Sequence, residues 1–194
     1  MTAIPDTEME YVLGLGGFWL DPGGAATICR RAQVMGIHVP TPYPQNNLQP
    51  VYDSVRKLPA TRKLIMAADS CGVTRIIQIA KDVHPRVVDA IYGIQPSFWC
   101  QQGSVPIPDN VRNVTIFYSS WLLTGGLGVY KPPLEIPPTV AGGESLYDGR
   151  WRTGNGGKTL VRYLYVPDLH PADQDKYGVQ DPMFSDITRV LEGK

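Results

Sequence analysis

One stretch restricts the folds open to this chain more than any other. It runs Lys63-Leu64-Ile65-Met66-Ala67-Ala68-Asp69-Ser70-Cys71-Gly72 and continues from Val73 to Ala80. A short apolar run meets small and polar residues, and a helix-period pattern takes over at Val73. The spacing predicts a strand, a sharp turn with Ser70 at its tip, and a helix to about Asp82. Ala68-Asp69-Ser70-Cys71-Gly72 reads small-x-Ser-x-small, one residue away from G-x-S-x-G, because Ala68 stands where the first glycine would be. In such a turn the serine holds a strained backbone position, and its neighbours must be small so that strand and helix can approach closely. Serine between small residues is common in loops, so the weight of the pattern lies in what surrounds it.

The surroundings alternate strand and helix. Tyr11-Val12-Leu13-Gly14-Leu15-Gly16-Gly17 is an apolar strand ending in a glycine turn. A helix from Ala25 to Met35 follows, with Ile28, Ala32 and Met35 at helical spacing and Gly36 at its end. Ile37 to Pro40 reads as a second short strand. Asn46 or Asn47 is placed to cap a helix through about Lys57, with Leu48, Val51, Tyr52 and Val55 on one face. Beyond the central stretch, strands are expected over Val87–Ile94, Val114–Tyr118 and Leu160–Val166, and a last helix from about Pro182 to Leu191. Such alternation implies βαβ units and right-handed crossovers. The fold class expected is α/β, a three-layer α/β/α sandwich on a mostly parallel sheet of about six strands, in one domain spanning residues 1–194. The rhythm breaks over Ser119 to Lys158, a Pro/Gly-rich connection of 40 residues. An insertion of that length is unusual in a compact domain; it suits a hairpin, a lid or an arm to a partner.

Charge removes several function classes. The chain has 18 basic and 18 acidic residues, a formal net charge of zero, and no basic run. No nucleic-acid partner is expected. The zero balance gives little protection against self-association, which points to a homo-oligomer or a larger protein assembly reached through the 119–158 connection. Cys29, Cys71 and Cys100 are too scattered for a disulfide framework or a zinc site, so free thiols in a reducing compartment are the simpler reading. The three histidines, His38, His84 and His170, form no metal signature. No cofactor is expected either, since Gly14 to Gly17 lacks the G-x-G-x-x-G spacing and its distant acidic partner; a Rossmann-like nucleotide binder is the weakest alternative. Met1 to Glu10 is polar and acidic, unlike a signal peptide, and no apolar run is long enough for a membrane span. The expectation is a cytoplasmic protein, with incorporation into a larger particle left open.

From about Tyr11 to Leu191 the order of these pieces resembles the α/β-hydrolase family in a small version. Leu13-Gly14-Leu15-Gly16-Gly17 is similar to the family's His-Gly-x-Gly-Gly turn, with Leu13 in place of the histidine. Ala68 to Gly72 is similar to its nucleophile elbow. His170 falls between the last strand and the last helix, where the family keeps its catalytic histidine, and the order Ser before His agrees. The family's first two strands have no counterpart.

The resemblance implies acyl hydrolysis of a small ester substrate. Ser70 would be the nucleophile, inert until a base takes its proton, and His170 that base, since imidazole titrates near neutral pH. The backbone N–H groups of Cys71 and Leu15 would meet the oxyanion. The family's acid normally follows the strand that here ends at Tyr118, yet Tyr118-Ser119-Ser120-Trp121-Leu122-Leu123 holds no carboxylate, nor does Gly93-Ile94-Gln95-Pro96. Glu135, Glu144 and Asp148 lie in the long connection, and Asp148 is the choice among them; Asp168 is too near His170 in sequence to orient it. Cys71 is itself an alternative nucleophile at a helix start. The competing reading, from the missing acid and Leu13, keeps the scaffold without catalysis, as a structural or binding component of a larger assembly such as a virion.

Overall fold

The computed structural model describes residues 11–15, 23–35, 37, 47–69, 71–94, 106–118, 149, 151–165 and 177–193. Within them the elements are β1 (Tyr11–Leu15), α1 (Gly23–Val34), α2 (Gln49–Lys57), β2 (Leu64–Asp69), α3 (Cys71–Asp82), β3 (Ala90–Ile94), β4 (Asn113–Tyr118), β5 (Arg152–Gly154), β6 (Thr159–Tyr165) and α4 (Tyr177–Leu191). Five strands, β1-β2-β3-β4-β6 in that spatial order, run parallel. Short β5 closes the far edge antiparallel to β6. The chain is therefore an α/β protein on a mostly parallel sheet.

β2 and β3 are almost continuously apolar because both faces of the sheet are covered. In β2, Leu64, Met66 and Ala68 face one way with Ile91, Ile116 and Tyr163, against Val51 and Val55 of α2 and Val73, Ile76 and Ile79 of α3. Ile65 and Ala67 face the other way with Tyr92, Ile94 and Phe117, against Cys29 and Ala32 of α1 and Met183, Phe184, Ile187 and Val190 of α4. The period of two in the strands thus meets the helical period in all four helices. Among the described residues no helix is long and apolar enough to cross a membrane.

The structure moves several expected boundaries. The fourth expected strand begins only at Ala90, and Val88 before it makes a single bridge to Val111. The helix after the central turn starts at Cys71, two residues earlier than its apolar period. Neither Asn46 nor Asn47 caps α2: the cap position is Leu48, without a side-chain cap, and a proline sits in the first turn. Pro50 lacks an N–H where none is needed, which sets the start without an asparagine. The last helix begins at Tyr177 and carries Pro182 inside it. Proline there forgoes one backbone hydrogen bond, and burial of Met183, Phe184 and Ile187 beyond it holds the helix on the sheet. Of the long connection, only Gly149 and residues 151–158 are described; there β5 pairs with β6 across a turn at Asn155–Gly157. The expected strand at Ile37–Pro40 lies outside the described residues except for Ile37, which is buried.

At the amino ends of the strands, polar side chains satisfy backbone that the sheet leaves open. The buried Asp89 carboxylate accepts the Leu64 N–H at 2.9 Å and Arg112 at 3.0 Å. Asn110 donates to the carbonyls of Ala80 and Arg86 at 2.8 and 2.7 Å. Lys63 donates to the carbonyls of Val190 and Leu191, a cation on the last turn of α4, where the helix dipole favours it.

Candidate active site

β2 ends at Asp69 and α3 begins at Cys71, so one residue, Ser70, connects them. Ser70 lies outside the described residues, as do His170 and Asp148; Leu15 and Cys71 are described as the last residue of β1 and the first of α3. A strand-to-helix reversal over one residue brings the two backbones close and needs small side chains at the contact. Ala68 is 1% exposed and Gly72 is buried. The decisive residue is one the sequence did not suggest. Gly93, on the neighbouring strand β3, lies under the first turn of α3. A Cβ there would sit 2.7 Å from Ile116 Cδ1 and 3.0 Å from Val73 Cγ1. The isoleucine tip can swing away, but the β-branched valine is stiff. Gly93→Ala is accordingly expected to lower stability by about 1–3 kcal/mol, read from the urea midpoint; an unchanged midpoint would mean that α3 is not held that close.

The first turn of α3 presents backbone N–H groups without partners inside the helix, at the positive end of its dipole. Cys71 supplies one of them. Leu15 is paired in register with Ala68, so β1 ends beside the β2–α3 junction, and Gly16 and Gly17 follow it in the sequence.

The route to His170 starts elsewhere. β6 lies three positions from β2, beyond β3 and β4, a separation of about 14 Å at ordinary strand spacing. His170 follows Tyr165 by five residues, and five extended residues reach about 17 Å. The gap can be bridged.

Gly149, which follows Asp148 in the sequence, lies toward the same end of β6. It donates its N–H to the Tyr163 carbonyl at 3.0 Å, and the chain continues into β5, antiparallel to β6 with Arg152 opposite Val161. Traced backwards from β5, the backbone therefore runs along β6 toward its carboxyl end. Gly149 has φ +74°, and a Cβ on it would meet Leu164 Cδ2 at 2.9 Å, so glycine is required at this anchor.

Sequence reasoning also missed a charged cluster beneath α4. Arg162 of β6 donates to the Asp186 carboxylate and, through Nε, to Thr115 Oγ1 at 3.1 Å. Arg189 Nε stands 3.9 Å from Asp186 Oδ1. The Trp151 ring lies against both guanidiniums, with centroid distances of 4.6 Å to Arg162 and 5.2 Å to Arg189. Burial pushes the Asp186 carboxyl up and the Arg162 guanidinium down, and their mutual attraction works against both shifts. Burial also pushes the Tyr92 phenol up, reinforced by Asp186. The sequence did carry a signal: Asp186 occupies a core position of α4 beside Met183, Ile187 and Val190, and Arg162 interrupts an apolar strand.

An open groove of about 860 Å³ lies at the other end of α3, lined by Tyr52, Val55, Leu58, Asp82 and Arg86 among others. A helix of 12 residues puts it about 18 Å from the elbow, so it is no part of this site. In it, Tyr52 donates to Asp82 at 2.6 Å, and burial followed by that bond raises its pKa to about 12. A raised phenol contributes stability that is complete below its unfolded value of about 10 and is lost as the pH rises through the folded value. The stability advantage over Tyr52→Phe should therefore be constant from about pH 7 to 9 and shrink above about pH 10; an advantage that persists undiminished in urea titrations at higher pH would rule the linkage out.

No protein-family model matches the chain, and no curated protein or solved structure is significantly similar to it. Among the described residues no group of His, Cys, Asp and Glu could hold a metal ion.

Proposed function

We propose that the chain is a serine hydrolase of the α/β-hydrolase type, a three-layer α/β/α sandwich acting on an ester or similar acyl substrate. The observation that carries this reading is the one-residue junction between β2 and α3, with β1 ending beside it. Ser70 gives its hydroxyl proton to His170 as its oxygen attacks the carbonyl carbon. The resulting oxyanion is met by the N–H groups of Cys71 and Leu15, donors worth about 3–4 kcal/mol each in characterised hydrolases. Collapse of the intermediate expels the alcohol, which takes the proton back from His170 and leaves an acyl-serine. A water molecule, deprotonated by the same imidazole, then releases the acid and restores Ser70. Asp148 orients the imidazole, supported by the anchoring of Gly149 along β6.

A fluorophosphonate probe tests this reading. Stoichiometric labelling, located at Ser70 by peptide mass spectrometry, is the expected result. A folded protein that takes up no label would overturn it. One observation favours a second reading: Tyr118 to Leu123, where the resemblance puts the acid, has no carboxylate. A non-catalytic scaffold in a larger assembly would remain unlabelled and show concentration-dependent oligomers in light scattering.

A further inference from the structure

On the side of α4 that meets the sheet, Met183, Phe184, Ile187 and Val190 are apolar and buried, and one charged residue, Asp186, is buried among them. Apolar residues three and four apart fix which side of a helix turns inward. They do not fix how far along its axis the helix sits. Moving α4 by one turn, about 5.4 Å, brings Ile187 near the place of Met183 and Val190 near that of Ile187. The strands beneath offer Ile65, Tyr92 and Phe117, which can pack against either arrangement. Asp186 is the exception. Its carboxylate accepts from Arg162 of β6, and Arg162 Nε donates to Thr115 Oγ1 of β4 at 3.1 Å. Thr115 Oγ1 lies 3.5 Å from Asp186 Oδ2, which closes a triangle between α4, β6 and β4. Arg162 and Asp186 are nearly buried, with side-chain exposures of 13% and 11%, and the Trp151 ring lies against the guanidinium. After a one-turn slip, Met183 or Val190 would stand where Asp186 stands, and Arg162 would have neither its carboxylate nor much water.

We propose that the Arg162–Asp186 pair is a register lock, which holds α4 in one of the seatings that its apolar stripe alone would allow on the sheet. A buried ion pair contributes little net stability, since the loss of hydration offsets the attraction, and apolar replacements of similar volume are often neutral. Choosing between seatings needs no net stability. It needs the wrong seating to cost more, and a guanidinium buried opposite hydrocarbon supplies that cost. The planar fork of Arg162, with one nitrogen on Thr115 and another on Asp186, also gives the contact a direction. The other polar contacts of α4 discriminate less. Arg31 and Asp181 form an ion pair at 35% and 54% exposure, where water can replace either partner. Lys63 reaches the carbonyls of Val190 and Leu191 on a flexible stem that can follow them.

Arg162→Met with Asp186→Leu, made in the full chain, removes the lock and keeps the interface filled. The urea midpoint of this double variant should stay close to that of the wild type, and the amides of β2 and β3 should remain as protected from hydrogen exchange. In a proton–nitrogen correlation spectrum the amides from Met183 to Leu191 should split into more than one set or broaden, because a second seating is now populated. Their exchange should quicken by about tenfold or more relative to the wild type. Ile187→Val removes packing and leaves the lock in place, so its midpoint should fall while α4 keeps one sharp set. A single sharp α4 set with wild-type exchange in the double variant overturns the proposal. A double variant that does not fold overturns it too, since the pair would then be a requirement for folding. Splitting of the α4 amides in Ile187→Val also overturns it, because loose packing alone would then be enough.

Discussion

Ser70→Ala is expected to lower kcat for ester hydrolysis by roughly 10⁴-fold or more, the scale seen when a serine nucleophile is removed from a triad. Its melting temperature should remain close to that of the wild type. On the proposed hydrolase mechanism, the activity loss follows from chemistry: without the hydroxyl no acyl-serine would form, and backbone donors at Leu15 and Cys71 could only assist a slow direct attack by water. The unchanged stability follows from the local packing. The closeness of β2 and α3 depends on Ala68, Gly72 and Gly93, none of which is altered. His170→Ala should cost a comparable amount, and the double variant little more. Activity in purified Ser70→Ala equal to that of the wild type would end the proposal.

The second large effect concerns stability. Asp186→Ala removes the acceptor of Arg162 and leaves that guanidinium buried with only Thr115 as a hydrogen-bond partner among the contacts described above. Removing one member of a buried pair typically costs about 3–5 kcal/mol, a large share of the roughly 5–15 kcal/mol that holds a domain folded. Equilibrium unfolding in urea should show the loss directly. Arg162→Met with Asp186→Leu should recover most of it, since neither charge is then left in the interior. A loss below about 1 kcal/mol for Asp186→Ala, the usual range for exposed pairs, would mean that water reaches the pair freely.

The two variants probe different parts of what could be read in the chain. The alternation of strand and helix was legible because β2 and α3 advertise their periods: Leu64 to Ala68 is buried on both faces, and Val73, Ile76, Ile77 and Ala80 repeat at helical spacing. The start of α2 was not, because asparagine is only a preferred cap and Pro50 determined the outcome. β5 was hidden in a Pro/Gly-rich connection since three residues are too few to show a period. Gly93 was invisible for a different reason. Its constraint comes from Val73 and Ile116, which are distant in sequence and meet it only across the sheet. The charged cluster has the same origin, drawing Thr115, Trp151, Arg162 and Asp186 from four segments. For the candidate site, the sequence supplied Ser70, His170 and Asp148 as residue types in order. The register of Leu15 with Ala68 adds that β1 ends beside the β2–α3 junction.

The parallel strands lie side by side in the order in which a ribosome would release them, β1 through β4 and then β6. Pairing can therefore begin while the chain is still being made. One face cannot be finished in that way. Ile65, Ala67, Tyr92 and Phe117 wait for Met183, Phe184 and Ile187 of α4, and Lys63 receives the carbonyls of Val190 and Leu191 only once α4 has been made. A nascent or truncated chain lacking α4 carries a paired sheet with one side covered by α1 alone, the kind of part-bare apolar surface that aggregates or recruits chaperones. α4 thus decides whether that side of the sheet is closed.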